Sequence, residues 1–223
     1  MAIRIKICGI TRVEDAWAAV EAGADALGFM IYGPSKRFIR ANDVPAVVRD
    51  LPPFVSRVGV FVNESTETIL ACRERCQFDT IQLHGEESPE FCQTIPGPVI
   101  KAFRLQSRSG LEALSRYPAS AWLLDSYSPA ARGGTGECFN WNWIREAGSL
   151  GCPIIVAGGL TPDNVARCIE TTRPFGIDVS SGVEASPGRK DASRMTDFIL
   201  AAREAANALN PTISSRSRGS GER

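Results

Sequence analysis

The sequence carries no net charge: 25 acidic residues balance 25 basic ones. Nucleic acid and anionic membranes both select for a basic surface field, so neither is expected as the main partner. No apolar run approaches the ~20 residues of a membrane-spanning helix. Met1-Ala2-Ile3-Arg4 leads straight into a strand pattern and leaves no room for a signal peptide. Histidine is nearly absent, with His84 alone, and the 7 cysteines are scattered without a CxxC pair. Cys72 and Cys76 fall on one expected helix, but a metal there would need further ligands, and His84 is far away in sequence. Free thiols in a reducing cytoplasm are therefore the expectation, and no metal site is assigned.

What is present is a repeat of short β-branched runs, polar loops and amphipathic helices. At 223 residues, with 43% hydrophobic and 22% charged, the chain suits one large core. The patterning predicts strands at 3–8, 26–31, 57–62, 80–83, 99–103, 121–124, 153–157 and 176–179. Helical segments lie between them, for example at 13–22 and 66–76. In the first, Val13, Ala16, Trp17, Val20 and Glu21 share one face, and four of these five are apolar. Thr11, Ser65, Ser88 and Thr161 stand where helix caps belong, and Pro89 and Pro162 fit a first helical turn. Strands alternating with helices at roughly 25-residue intervals point to parallel β-structure with helical crossovers. An open doubly wound sheet would produce the same alternation, but eight units of similar length favour closure. The expected fold is a single α/β domain, a (β/α)8 or TIM barrel over residues 1–210. Longer loops are expected at 105–111 and 128–139. Residues 211–223, rich in Ser, Gly and Arg, read as a disordered tail.

Such barrels do their chemistry at the C-terminal ends of their strands. Cys8 stands there on the first strand, with Gly9 behind it. The run Val156-Ala157-Gly158-Gly159-Leu160-Thr161 follows the seventh strand, and Asp178-Val179-Ser180-Ser181-Gly182-Val183-Glu184 spans the end of the eighth. Glycines admit an anion close to the backbone, and helix starts aim N–H groups at it. Gly158, Gly159, Ser181 and Gly182 are therefore phosphate-binding candidates, although a Gly-Gly pair also serves a plain tight turn. Gly134, in Arg132-Gly133-Gly134-Thr135-Gly136, is a further candidate as part of a closing loop. Asp125 follows the apolar run of the sixth strand, where desolvation would suit it to general-acid work. Taken alone, Asp125 or Cys8 reads as an ordinary loop acid or core thiol; together at one mouth they read as an acid–base pair. Arg37 offers a planar fork to a carboxylate, or else belongs to a solvated basic loop. His84, at the end of the fourth strand, either contacts a ligand or packs.

In this order the motifs resemble the phosphoribosylanthranilate isomerase family of tryptophan biosynthesis. The resemblance runs from Ile5-Lys6-Ile7-Cys8-Gly9-Ile10-Thr11 to the Asp178–Glu184 run. It includes Val58-Gly59-Val60-Phe61-Val62-Asn63, Gln82-Leu83-His84-Gly85, Lys101-Ala102-Phe103-Arg104, Leu124-Asp125-Ser126 and Ala157-Gly158-Gly159-Leu160. Many relatives read Ser-Pro-Arg where this chain has Ser35-Lys36-Arg37, so the arginine is kept. The resemblance implies an Amadori rearrangement of N-(5′-phosphoribosyl)anthranilate to 1-(2-carboxyphenylamino)-1-deoxyribulose 5-phosphate. It maps the general acid to Asp125, the general base to Cys8, the anthranilate carboxylate contact to Arg37 and a polar contact to Asp178. No cofactor is implied, because the substrate's own nitrogen is the electron sink. The partner implied is a small phosphosugar, handled by a cytoplasmic monomer or weak homodimer, with no room for a fused second enzyme.

Other phosphosugar barrels are the rivals. An indole-glycerol-phosphate synthase would need a lysine and a glutamate at the mouth; Lys101 is the one lysine to consider, and no suitable glutamate is expected beside it. A ribulose-phosphate epimerase would need a metal or paired aspartates. A non-catalytic phosphate-binding barrel would be expected to lack Cys8 or Asp125, and both are present.

Overall fold

A computed structural model of the chain describes residues 2–105, 108, 110–125 and 141–209. Gly134 and the rest of its glycine run, Cys138, the expected 128–139 loop and the 211–223 tail lie outside the described residues. Eight parallel strands close into a barrel in sequence order: β1 (Arg4–Cys8), β2 (Ala26–Met30), β3 (Ser56–Phe61), β4 (Thr80–Leu83), β5 (Val99–Arg104), β6 (Ala121–Asp125), β7 (Ile154–Ala157) and β8 (Gly176–Val179). The first strand pairs with β2 on one side and β8 on the other, which closes the ring. The open-sheet alternative is thereby excluded.

The connecting helices are α1 (Val13–Glu21), α2 (Val44–Val48), α3 (Thr66–Cys76), α4 (Pro89–Thr94), α5 (Gly110–Leu114), α6 (Asn142–Gly148) and α7 (Pro162–Thr172), with α8 (Ala192–Leu209) last. Ser65 and Ser88 cap α3 and α4 as expected, accepting from the Thr68 and Phe91 amides. At Thr161 the expected cap is reinforced by Asn164, whose Oδ1 accepts from the Thr161 N–H at 2.9 Å. Thr11 does not cap α1; its hydroxyl donates to the Gly188 carbonyl at 2.7 Å. The α1 face also differs. Val13 and Trp17 are 41% and 36% exposed, while Asp15, Ala16 and Ala19 are buried. Small residues let α1 lie close to its neighbours, and Asp15 Oδ2 accepts from the Lys190 N–H at 3.0 Å. Helix α5 begins inside the segment expected as a loop at 105–111. A two-stranded hairpin after β8, β9 (Glu184–Ser186) with β10 (Arg189–Lys190), has no counterpart in the sequence patterning.

Strand alternation sorts side chains into two shells. Ile5, Ile7, Leu27, Phe29, Ile81, Leu83, Leu124 and Val156 face the helices in the main core. Val58, Val60, Ile100, Ala102, Leu123 and Ile155 fill the barrel interior. Because both shells are mainly apolar, most of the strands read as near-continuous hydrophobic runs, broken on the inner face by Lys6, Gln82 and Asp178. Each fully buried Ile or Leu contributes about 1.5–3 kcal/mol by leaving water. The same parity decides the chemistry. With Ile7, Leu124 and Val179 turned outward, Cys8, Asp125 and Asp178 turn inward at the barrel mouth.

Candidate active site

Cys8 ends β1, buried to 6% exposure and packed in the interior shell. Gly9 follows with φ +80°, and a Cβ there would come 2.7 Å from Arg37 Cδ. Glycine at this point lets the Arg37 chain cross over the end of β1. Asp125 is the last residue of β6 rather than a loop residue. Its Oδ2 lies 3.9 Å from His84 Nε2. The Gln82 side-chain amide lies 2.9 Å from His84 Nδ1. The bond holds the ring with Nε2 as the nitrogen that faces Asp125. Burial, only partly offset by Asp125 and Asp178, lowers the His84 pKa, so the ring is neutral at pH 7.

Beneath Cys8 lies a pair that sequence reasoning missed. Lys6 Nζ donates to Asp178 Oδ1 at 2.8 Å, with the two side chains 5% and 8% exposed. Burial pushes the Cys8 thiol up. Lys6 and Lys190 pull it down and Asp178 pushes it up further, with a net upward shift. The thiol is therefore protonated at neutral pH.

Arg37 stands on the cavity wall, but its fork is not open. Nε and Nη2 donate to Glu184 Oε1 and Oε2 at 2.7 and 2.8 Å. Only the Nη1 amino group lies outside this two-pronged pair. Glu184 also accepts from Lys190 Nζ at 3.0 Å, and Lys190 donates to the Ser180 carbonyl at 3.1 Å. Arg37 is thus fixed to the loop that follows β8.

The glycine candidates divide by role. Gly158 and Gly159 have φ of +89° and +65°, and a Cβ on Gly159 would meet open space. That is the property an anion seat needs. A Cβ on Gly182 would instead overlap the Leu160 carbonyl oxygen. Gly182 thus lets the β8 loop pack against the β7 loop, with Ser181 opening one turn of 3-10 helix, Ser181–Val183. A cavity of about 360 Å³ at the mouth is bounded by Cys8 and Arg37 on one side, His84 and Asp125 on another, and Asp178 beneath. The two glycine loops, with Gly158, Gly159, Ser181 and Gly182, form its remaining wall. Every site candidate within the described residues meets there. A second cavity of about 800 Å³ adjoins it through Met30, Ser35 and His84, and reaches Tyr32, Phe103 and Tyr117.

Lys101 does have a glutamate beside it, contrary to expectation. Its Nζ lies 2.9 Å from Glu87 Oε2, both side chains 3% exposed. Lys101 also donates to the Gly85 carbonyl, while Glu87 accepts from the Asn63 and Gly85 amides. Its neighbours Ile100 and Ala102 face the barrel interior, so Lys101 faces the helices. The pair braces the loop after β4 and lines the second cavity, not the one that holds Cys8 and Asp125. Lys6, Gln82, Glu184 and Lys190 went unrecognised in the sequence. For Lys6 the available signal was its spacing of two from Cys8 on one strand.

A family model for N-(5′-phosphoribosyl)anthranilate (PRA) isomerase matches residues 5–201. The N-(5′-phosphoribosyl)anthranilate isomerase of Trichlorobacter lovleyi is 51% identical over 203 residues, covering 91% of this chain and 99% of that protein. The same enzyme of Geobacter sulfurreducens is 50% identical over 201 residues, covering 90% and 98%. The crystal structure of phosphoribosyl anthranilate isomerase from Thermotoga maritima superposes with TM-score 0.85 at 45% identity, covering 91% of this chain and 99% of that one. Another structure, with TM-score 0.83 at 43% identity and coverage of 91% and 99%, holds reduced 1-(o-carboxyphenylamino)-1-deoxyribulose 5-phosphate. A sequence match that spans the barrel from β1 into α8, joined to the same closed fold, leaves one assignment: the chain belongs to the N-(5′-phosphoribosyl)anthranilate isomerase family.

Proposed function

We infer that this chain catalyses the isomerisation of N-(5′-phosphoribosyl)anthranilate to 1-(2-carboxyphenylamino)-1-deoxyribulose 5-phosphate in tryptophan biosynthesis. The observation that carries the mechanism is the meeting of Cys8 and Asp125 on the wall of one mouth cavity that also holds the two glycine loops. In this reading the loops after β7 and β8 hold the phosphate through backbone N–H groups. Asp125 gives a proton to the furanose ring oxygen, the C1′–O bond breaks, and the anilino nitrogen's pair forms the iminium. Cys8, as thiolate, takes the proton from C2′, and the C–H pair moves toward the iminium nitrogen to give the enolamine. Tautomerisation then yields the ketone. The cationic iminium favours the thiolate, which opposes the burial that raises this thiol.

The neutral His84 ring, with Nε2 3.9 Å from Asp125 Oδ2, stands beside the acid and helps keep it in place. Asp178 makes a polar contact beneath the sugar, and Arg37 Nη1 meets the anthranilate carboxylate. Residues 1–210 act as one catalytic unit, in the cytoplasm, as a monomer or weak homodimer; the Thermotoga maritima enzyme is itself described as dimeric. No helix among the described residues is long and apolar enough to cross a membrane. Incubating purified protein with phosphoribosylanthranilate and following loss of its fluorescence tests the reading. Enzyme-dependent loss is expected, and loss no faster than the spontaneous background would overturn it.

A further inference from the structure

We propose that Lys6 is a positioning residue for this reaction: its ammonium, clamped by Asp178, holds Cys8 ready to give up its thiol proton and serve as the base. The proposal rests on the reading of Cys8 as base given above. Lys6 and Cys8 stand two apart on β1, so both point into the barrel. The β1–β8 register sets Lys6 beside Asp178, and the 2.8 Å bond between them fixes the ammonium below the mouth. On the other side, the β1–β2 register sets Cys8 beside Gly28. A Cβ on Gly28 would come 2.8 Å from Cys8 Sγ and 3.1 Å from Lys6 Cε. Glycine there leaves one shared gap, which the thiol and the end of the lysine chain both enter. That gap sets the terminal carbon of the lysine chain beside the thiol.

The other charged groups around Cys8 are less suited to the task. Lys190, from β10, is held by Glu184 and the Ser180 carbonyl. Arg37, from the segment after β2, is held by both oxygens of Glu184. Asp178, from β8, opposes ionisation of the thiol, and Lys6 is the cation that neutralises it. Lys6 is absent from the wall of the mouth cavity. It therefore acts through the thiol and not on the substrate. Nor is it a base itself. Burial alone would lower its pKa, but Asp178 and Cys8 outweigh burial and raise it, which favours the ammonium form. The thiol proton leaves to solvent through the mouth. The thiolate then takes the C2′ proton, with the electron pair going to the iminium, and Lys6 ends the step unchanged.

The test reads Cys8 directly, without turnover. Iodoacetamide alkylation of the Cys8 peptide is followed by mass spectrometry across pH in the wild type and in folded Lys6→Met. The midpoint should rise by about one pH unit or more once the cation is gone, and kcat should fall with little change in KM. Lys6→Met also strips Asp178 of its partner, which endangers the fold. Lys6→Met/Asp178→Asn is therefore compared with Asp178→Asn alone, and the same upward displacement is expected. An unchanged midpoint in the comparison that yields folded protein overturns the proposal. A wild-type rate in Cys8→Ser would instead overturn the assignment of the base, so the two failures are distinguishable.

Discussion

Arg37 and Glu184, 147 residues apart in sequence, form a two-pronged ion pair across the barrel mouth, Nε to Oε1 at 2.7 Å and Nη2 to Oε2 at 2.8 Å. The pair ties the segment after β2 to the hairpin after β8, and so ties the proposed carboxylate contact to the phosphate loops. Glu184 keeps Lys190 as a second partner, which protects the fold when Arg37 is removed.

Arg37→Ala should therefore weaken substrate use far more than it disturbs stability. A charge-assisted contact to the anthranilate carboxylate contributes about 1.5–3 kcal/mol, which corresponds to a loss of roughly 10- to 150-fold in kcat/KM. Glu184→Gln leaves Arg37 in place but loosens it, so KM should rise with a smaller effect on kcat. Steady-state kinetics with phosphoribosylanthranilate decide the matter. A change below twofold in Arg37→Ala would mean that the arginine only braces the loop.

The two kinds of glycine should separate experimentally. Gly159→Val puts a side chain into the open space where the phosphate is proposed to sit, so KM should climb steeply. Its φ of +65° also disfavours a β-branched residue, which adds a moderate loss of stability. Gly182→Ala forces a methyl group onto the Leu160 carbonyl and should lower Tm more than Gly159→Val does. Thermal melts beside KM values test the division, and the reverse order of Tm losses would refute it.

The sequence patterning placed all eight strands within one residue of their observed ends because each carries a short run of mainly apolar, often β-branched residues between polar loops. Cys8 and Asp125 were legible because each closes such a run, and strand parity then turns both into the barrel. Side chains whose meaning depends on a distant partner were not legible. Nothing near Arg37 announces Glu184, and nothing near Lys101 announces Glu87 as its buried partner. In α1, the apolar spacing suggested a face through Val13 and Trp17, yet the helix buries Asp15 because the backbone of β10 supplies it with a donor. The β9–β10 hairpin escaped notice because strands of three and two residues carry no periodicity.

His84 should give stability a pH dependence of known sign. Its pKa is lowered in the folded protein, chiefly by burial, while an unfolded histidine titrates near ~6.5. The unfolded chain then binds the extra proton first, so this contribution is present above pH ~6.5 and is lost as pH falls below it. Denaturant unfolding of the wild type between pH 7.5 and 6.0 should show falling stability. In His84→Gln the slope over that window should flatten, and an unchanged slope would mean that other groups set it.

Cys8 and Asp125 should fail at different steps. Removing a positioned acid or base typically costs ~10²–10⁴ in rate, so each of Cys8→Ser and Asp125→Asn should lose kcat on that scale. Neither substitution opens a large cavity, and both variants should remain folded. A substrate deuterated at C2′ tells the two losses apart. Cys8→Ser replaces the base with a hydroxyl of much higher pKa, so C–H cleavage becomes slowest and the isotope effect on kcat should grow. Asp125→Asn cannot donate the carboxylic proton that opens the ring, so a step before C–H cleavage becomes slowest and the isotope effect should shrink toward unity. Were Asp125→Asn to show the larger isotope effect, the two roles would have to be exchanged. Were both variants to keep near wild-type kcat, the neutral His84 and the paired Asp178 would be the next groups on the cavity wall to test.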